Sequence, residues 1–468
     1  MTASLGRTNT REPPPPRPDR AAPASALLIL VLECDRPLAP SSRHALAGLD
    51  EVAVGRGPRR ALRTGARLEL GVPDGWMSNG HARFSCQLGR WVVEDLGSKN
   101  GVLVNGRPTE LSVLDDGDLV ELGHTLFLYR EVAAQADALA GDLNADEMSP
   151  ASPGLATFVT PLARAFADLA RVAAAGIPVV IQGKSGTGKE LVAQAVHALS
   201  GRAGPFVAVN CGALAPTLVE SELFGYRKGA FSGATEDRPG LVRSAHGGTL
   251  FLDEVADLPA GNQAALLRVL QEREVTPVGA VRAIPVDLQL VAATQVELAE
   301  LARSGEFRED LLARLSGFTI HMPPLAERRE DLGILIGSLL RRVAPAAIDK
   351  LRFDGEAARA LLHHDWPLNV RELERCLALA VALSAGELVR LEHLPPALRG
   401  EQPASTAAPA LAGPPLGDED RRRRDDLVVL LREHGGNLSA VARASGKRRV
   451  QIQRWVKRYR LDPASFRR

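Results

Sequence analysis

The chain has 468 residues, with 57 Lys and Arg against 56 Asp and Glu. That length implies two to four domains, and the near balance of charge excludes a uniformly basic protein. Cys34, Cys86, Cys211 and Cys376 lie far apart with no C-x-x-C pair, and the ten histidines show no ligand spacing. This pattern argues against a disulfide scaffold or a zinc site and for a reducing compartment.

Residues 1–26 contain PPPPRP and are expected to form a disordered tail. The apolar run Ala26–Leu32 is far shorter than the roughly 20 residues of a spanning helix. With no signal-peptide pattern before it, a cytoplasmic location with no membrane partner is expected. From 27 to 131 the signals are short strands and tight turns. They include WVVED at 91–95, the hairpin pair Asn105-Gly106, DDGD at 115–118 and the alternating Leu126 and Leu128. The pattern predicts a β-sandwich.

Residues 132–152 read as a linker. Over 153–398, helices alternate with the apolar strands IPVVIQ (177–182), FVAVN (206–210), TLFLDE (249–254) and LQLVAAT (288–294). That alternation predicts a parallel sheet covered by helices across 153–325, and a helical lid follows over 326–398. A second linker, rich in Pro and Ala, covers 399–419. Residues 420–468 read as short helices with a basic end. From 443 to 468 there are ten Arg or Lys and one Asp, a net +9.

GKSGTGKE at 183–190 follows a predicted strand and opens a helix, the setting a phosphate-binding loop requires. Backbone N–H groups across Gly183, Lys184, Ser185, Gly186, Thr187 and Gly188, with the helix N-terminus, suit phosphate oxygens. Lys189 would reach the β- and γ-phosphates, and Glu190 stands where the generic motif has Ser or Thr. Downstream, GGTLFLDE ends an apolar strand in two carboxylates. That places Asp253 to hold Mg²⁺ and Glu254 beside an attacking water. GAFSGA at 229–234 is a short Gly-flanked segment with Phe231 at its tip, able to bend sharply and to offer an aromatic anchor to a partner.

SELFGYRKGAFSGA at 221–234 resembles the signature of the bacterial enhancer-binding proteins, AAA+ ATPases that activate sigma-54 RNA polymerase. The usual loop in that family is GAFTGA, so Ser232 keeps the hydroxyl and lacks the methyl. The resemblance implies that Gly229, Ala230, Phe231, Ser232, Gly233 and Ala234 contact the sigma factor. It also implies ATP and Mg²⁺ as cofactors and assembly into a hexameric ring. Glu190 is the family's usual residue there. Lys184, Gln295 and Leu368 are not: the family usually has Glu, Asn (in its sensor I segment) and Gly at those places.

By the same resemblance Asn210 is the switch residue that pairs with Glu254. Arg308 and Arg314 in FREDLLARL (307–315) are arginine fingers for a neighbouring subunit. Arg371 in WPLNVREL (366–373) touches nucleotide.

VGRG (54–57), SNGHARF (78–84) and DLGSKNGVLVNG (95–106) resemble the forkhead-associated (FHA) fold, which binds phosphothreonine peptides. That implies Arg56 and Ser78 on the phosphate, and Asn100 on the peptide backbone with Ser98 beside it. His81 and Asn105 would brace the loops. The partner would be a phosphoprotein made by a Ser/Thr kinase. Asn79 replaces the Arg usual after Ser78.

Residues 426–459 resemble the Fis-type helix-turn-helix. Arg448, Arg449, Gln451, Arg454 and Lys457 lie on its basic second helix, where they would meet upstream DNA. The reading is a multidomain, sigma-54-dependent activator: an all-β FHA sandwich, an α/β AAA+ ATPase with helical lid, and an all-α DNA-binding domain. The alternatives are a DNA-binding regulator with a weak or uncoupled ATPase, and a phosphopeptide-binding scaffold.

Overall fold

The computed structural model describes residues 25–132, residues 141–400 apart from 153, 216, 217, 346 and 348, and residues 418–435, 438–445, 455 and 456. The chain divides into two compact units at residue 399.

The first unit begins with a two-sheet sandwich. One sheet includes β1 (Ser25–Glu33), β2 (Ser42–Ala45), β11 (Leu119–Leu122) and β12 (Thr125–Val132), with β1 antiparallel to both β2 and β12. The other is centred on β3 (Glu51–Arg56), with β5 (Arg67–Val72) and β6 (Ala82–Gln87) on either side. WVVED falls within a strand at Arg90–Asp95. The stretch expected as a linker is partly structured, because Leu143–Asn144 pairs with β2 and extends the first sheet.

The α/β core is a five-stranded parallel sheet. Its order is β15 (Phe206–Asn210), β16 (Thr249–Asp253), β17 (Gln289–Thr294), β14 (Val179–Gln182), β18 (Phe318–His321). Helices α1 (Thr160–Ala174) and α2 (Lys189–Leu199) pack with buried Val179, Ile181 and Val291 on one side. On the other, α3 (Val219–Phe224), α4 (Ala260–Glu272) and α5 (Glu309–Leu315) pack with Leu250, Leu252 and Leu290. The lid consists mainly of α6 (Leu332–Val343), α7 (Gly355–His363) and α8 (Asn369–Leu383).

The apolar run that opens the sandwich is explained by burial on both faces. Ala26, Leu28 and Leu30 of β1 enter the sandwich core, while Leu27, Ile29 and Val31 join a cluster with Ile336, Leu339, Leu340, Leu361 and Phe353 of the lid. β12 divides likewise, Phe127 and Tyr129 inward, Leu126 and Leu128 toward the lid. A strand covered on both faces needs a continuous apolar sequence instead of an alternating one.

The fit is close. A Cβ on Gly333 of α6 would fall 2.1 Å from the Val31 carbonyl oxygen, so a side chain there would force the layers apart. The Phe353 N–H donates to the Cys34 carbonyl at 2.9 Å. Arg359 of α7 grips the buried Glu121 of β11 through two hydrogen bonds of 2.6 and 2.9 Å. Sandwich and lid therefore share one core.

In the second unit, α9 (Asp418–Glu433) and α10 (Leu438–Ala444) bury Leu427, Leu431, Val441 and Ala442, with Trp455 and Val456 against them. Arg448, Arg449, Gln451, Arg454 and Lys457 lie outside the described residues.

The shared core makes a direct prediction. Ile29→Ala should cost about 2–5 kcal/mol, the usual range for truncating a buried Ile. It should shift the unfolding of sandwich and lid together. Fluorescence of Trp91 in the sandwich and Trp366 in the lid, read during urea unfolding in single-tryptophan variants, checks this. Two separate transitions, only one of them moved, would contradict it.

Candidate functional site

The 183–190 loop joins β14 to α2, so the α2 N-terminus and the loop's backbone N–H groups face the same space. Lys189 is buried, and its Nζ donates to the Gly183 carbonyl at 2.9 Å and lies 3.6 Å from Glu254 Oε1. Thr187 Oγ1 donates to the Lys184 carbonyl at 2.9 Å, which closes the turn on itself. Lys184 and Glu190 are exposed.

Asp253 ends β16 half-buried, and its carboxylate accepts the Glu254 N–H at 3.1 Å. Burial, then the neighbouring Glu254 charge, raises the Asp253 pKa above its ordinary value. Glu254 adopts a left-handed backbone, φ +52°, a strained conformation for a residue with a side chain. Burial, then Asp253, pushes the nearby Cys211 thiol up to about 12.

The partner of Glu254 differs from the expectation. Gln295 Nε2 donates to Glu254 Oε1 at 2.7 Å. Asn210 instead turns its oxygen to the Ala213 N–H at 3.0 Å, capping the short 3-10 turn after β15. Gln295, one methylene longer than the Asn expected there, spans the gap.

The lid holds the loop from above by contacts that the sequence reading missed in part. Arg371 Nη1 donates to Ser185 Oγ at 3.3 Å. Asn369 is fully buried at φ +58°; its Nδ2 donates to the Ser185 carbonyl at 2.9 Å, and its Oδ1 accepts the Leu325 N–H at 2.8 Å. Arg328 Nη2 donates to the Thr187 carbonyl at 2.7 Å. Asn369 lay inside WPLNVREL, so its signal was present. Arg328 sits in a charged run with no motif to mark it. Leu368 has an ordinary φ of −100°, so the backbone accepts a side chain there.

Arg308 and Arg314 are exposed on or beside α5. Arg308 binds Asp310 at 2.6 and 2.9 Å. Arg314 lines a cavity of about 260 Å³ with Arg273 and Leu270.

The 229–234 segment is a closed turn. Gly229 N–H donates to the Ala234 carbonyl at 2.9 Å, and Ala234 N–H to the Phe231 carbonyl at 3.1 Å. Gly229 and Gly233 both have left-handed φ values, +83° and +112°, which a side chain would strain. Ser232 is exposed, and the Phe231 ring, 42% exposed, stands edge-on to Tyr226 with centroids 4.9 Å apart. The Val278 backbone braces the base through Gly225 and Arg227.

On the sandwich, Arg56 is exposed and donates to Asn79 Oδ1 at 3.2 and 3.3 Å. Ser78 Oγ accepts the Lys99 N–H at 3.1 Å, Ser98 Oγ accepts the Gly101 N–H at 3.0 Å, and Asn100 Nδ2 donates to the Trp76 carbonyl at 2.6 Å. Buried His81 accepts the Ser78 N–H on Nδ1 at 3.0 Å. Its Nε2 is therefore left to donate to the Gly101 carbonyl, also at 3.0 Å, and the ring ties the two loops together. Asn105 spans Asp118 and Leu119.

The family model for the sigma-54 interaction domain matches residues 157–321, that for the AAA+ ATPase lid domain matches 326–411, and that for the FHA domain matches 52–123. The transcriptional regulatory protein GlrR of Escherichia coli (strain K12) is 41% identical over 310 residues, covering 66% of this chain and 68% of that protein. The hydrogenase transcriptional regulatory protein HoxA of Cupriavidus necator is 44% identical over 301 residues, covering 63% and 62%. NtrX from Brucella abortus, solved in complex with ATP, is 33% identical, covers 67% of this chain and 70% of that one, and superposes with a TM-score of 0.48. The chain belongs to the sigma-54-dependent transcriptional regulators, with an AAA+ ATPase core and an FHA domain.

Proposed function

We propose that this protein hydrolyses ATP as a ring, most simply a hexamer, and uses the work to drive the 229–234 loop against sigma-54 polymerase. The closed promoter complex is thereby remodelled to the open one. The observation that carries the reading is the half-exposed Phe231, presented by a closed turn on the same α/β core as Lys189, Asp253 and Glu254.

The Asp253 site fits a divalent cation, because two adjacent carboxylates in a partly buried place repel each other without one. Bound there, Mg²⁺ would neutralise charge on the phosphates. Asp253 would hold the ion, Lys189 the phosphates, and Glu254 would orient the attacking water once released from Gln295. Arg371 would meet the nucleotide from the lid. Arg308 can leave Asp310 at little cost, since exposed ion pairs are worth about 0–1 kcal/mol. It and Arg314 are then available to a neighbour's γ-phosphate. The hold of Gln295 and Lys189 on Glu254 favours slow turnover in the isolated chain.

Arg56, Ser78, Ser98 and Asn100 cluster on the loops at one end of the sandwich and suit a phosphothreonine peptide. Asn79 keeps the Arg56 guanidinium in place without adding a second charge. The net +9 over 443–468 supports attachment to upstream DNA through the helix-turn-helix.

Open-complex formation with sigma-54 polymerase, ATP and a promoter bearing the binding site tests the central reading. Phe231→Ala should keep ATP turnover and lose open complexes; undiminished open complexes would refute it. Arg56→Ala should weaken binding of a phosphothreonine peptide by about tenfold or more, the effect of losing one charge-assisted contact. Isothermal titration reads it.

The raised Asp253 pKa fixes a pH dependence. Its contribution to the fold without nucleotide or cation is intact below the unfolded carboxylate value, about 3.9. That contribution is lost as pH rises through the folded value. At neutral pH, Asp253→Asn should therefore melt higher than wild type while losing hydrolysis, and the gap should close toward about pH 4. Calorimetry across pH checks it.

A further inference from the structure

Four consecutive residues between β18 and α6, Arg328 to Asp331, each reach a different part of the molecule. Arg328 is 5% exposed and donates to the Thr187 carbonyl inside the phosphate-binding loop. Its Nε has no hydrogen-bond partner among the described residues. Arg329 donates to the Leu362 carbonyl at the end of α7 and lies near Gly117 of the sandwich. Glu330, also 5% exposed, faces Arg130 of β12 at 3.2 Å. Arg130 is fixed in turn by Asp116 at 2.8 Å. Asp331 accepts from Thr157 Oγ1 and the Phe158 N–H, both at 2.7 Å. The Phe158 carbonyl accepts from Arg43 of β2.

We propose that Arg328 is a positioning residue for the phosphate-binding loop and that the FHA sandwich, through Arg130 and Glu330, sets its place. The path is short. It runs from the sandwich guanidinium to Glu330, along two residues of backbone, and through one side chain to the loop carbonyl. Glu330 and Arg328 are buried, and the Arg130 side chain is 18% exposed. A buried carboxylate left without its cation must neutralise or move toward water, and either change tugs the backbone that carries Arg328. The Thr187 carbonyl belongs to the turn whose N–H groups must converge on phosphate oxygens. Small displacements there spoil the alignment on which those hydrogen bonds depend. Because coupling between sites is reciprocal, nucleotide in the loop must also alter how tightly the sandwich holds the lid. This goes beyond the proposed function and does not require the sandwich to bind a phosphopeptide.

The test is ADP affinity of the full chain by isothermal titration. Arg130→Ala lies in the sandwich, outside the nucleotide machinery. It should weaken ADP binding by about fivefold or more, the lower end of measured allosteric couplings. Arg130→Lys, which keeps the charge, should restore most of it. Arg328→Ala should weaken binding at least as much, and adding Arg130→Ala to it should change little further, because both cut one path. Arg341→Ala, which loses another sandwich–lid contact (the Leu38 carbonyl), should leave ADP affinity unchanged. If Arg328→Ala fails to fold, Glu330→Gln replaces it in the cycle. Wild-type ADP affinity in Arg130→Ala, full additivity of the pair, or an equal loss in Arg341→Ala would each overturn the proposal.

Discussion

The two-faced burial of β1 and β12 governs the rest of the molecule. Domains within one chain usually meet through modest polar interfaces and move freely about their linkers. Here one face of the sandwich's own sheet is completed by the lid, with Ile29 and Val31 against Ile336 and Leu340. Separating the two would expose that apolar face to water at about 25 cal/mol per Å². It would also break the two hydrogen bonds between Arg359 and the buried Glu121. The sandwich is thus an outer layer of the lid, and any motion of the lid carries the sandwich with it.

That constraint gives the nucleotide site its context. The 183–190 loop hangs from β14 but is held from the lid by Arg328, Asn369 and Arg371, which bond to Thr187 and Ser185. Trp366 and Asn369 both take left-handed backbone conformations to make the turn that delivers these groups. Such strain persists only where the surroundings fix it, and the fully buried Trp366 ring and the two-way bonding of Asn369 do so. The site is therefore built from two bodies, and its geometry depends on their angle.

The sequence revealed those features whose chemistry is fixed by local spacing. GKSGTGKE, the LDE strand end and GAFSGA each need particular residues within a few positions, so each was legible, as were four of the five strands of the parallel sheet; Phe318–His321 was not. What stayed hidden depends on contacts between distant segments. The apolar run from Ala26 to Leu32 is plain in the sequence, yet a single sequence does not say which surfaces cover its two faces. Leu143–Asn144 joined a sheet through two residues only, too few for a period. Glu254 has polar candidates on two neighbouring strands, and the choice of Gln295 over Asn210 turned on one methylene and on the cap that Asn210 makes. Arg328 looked like one more surface charge among Arg328, Arg329, Glu330 and Asp331, because nothing local marks a charge as buried.

The same distinction bears on the 229–234 loop. Its closed turn is local, and the two glycines predict it. Its resting position is not local: Phe231 leans on Tyr226, and the Val278 backbone holds the base. An edge-on aromatic pair is worth about 0.5–1.5 kcal/mol beyond its buried area, a small hold compared with the free energy available from a phosphoryl transfer. A tip that is half sheltered and weakly held can be lifted by a modest rearrangement at its base. The α3 helix, packed in the core cluster beneath β16, leads directly into that base. The α3 helix thus links the β16 cluster to the base of the loop.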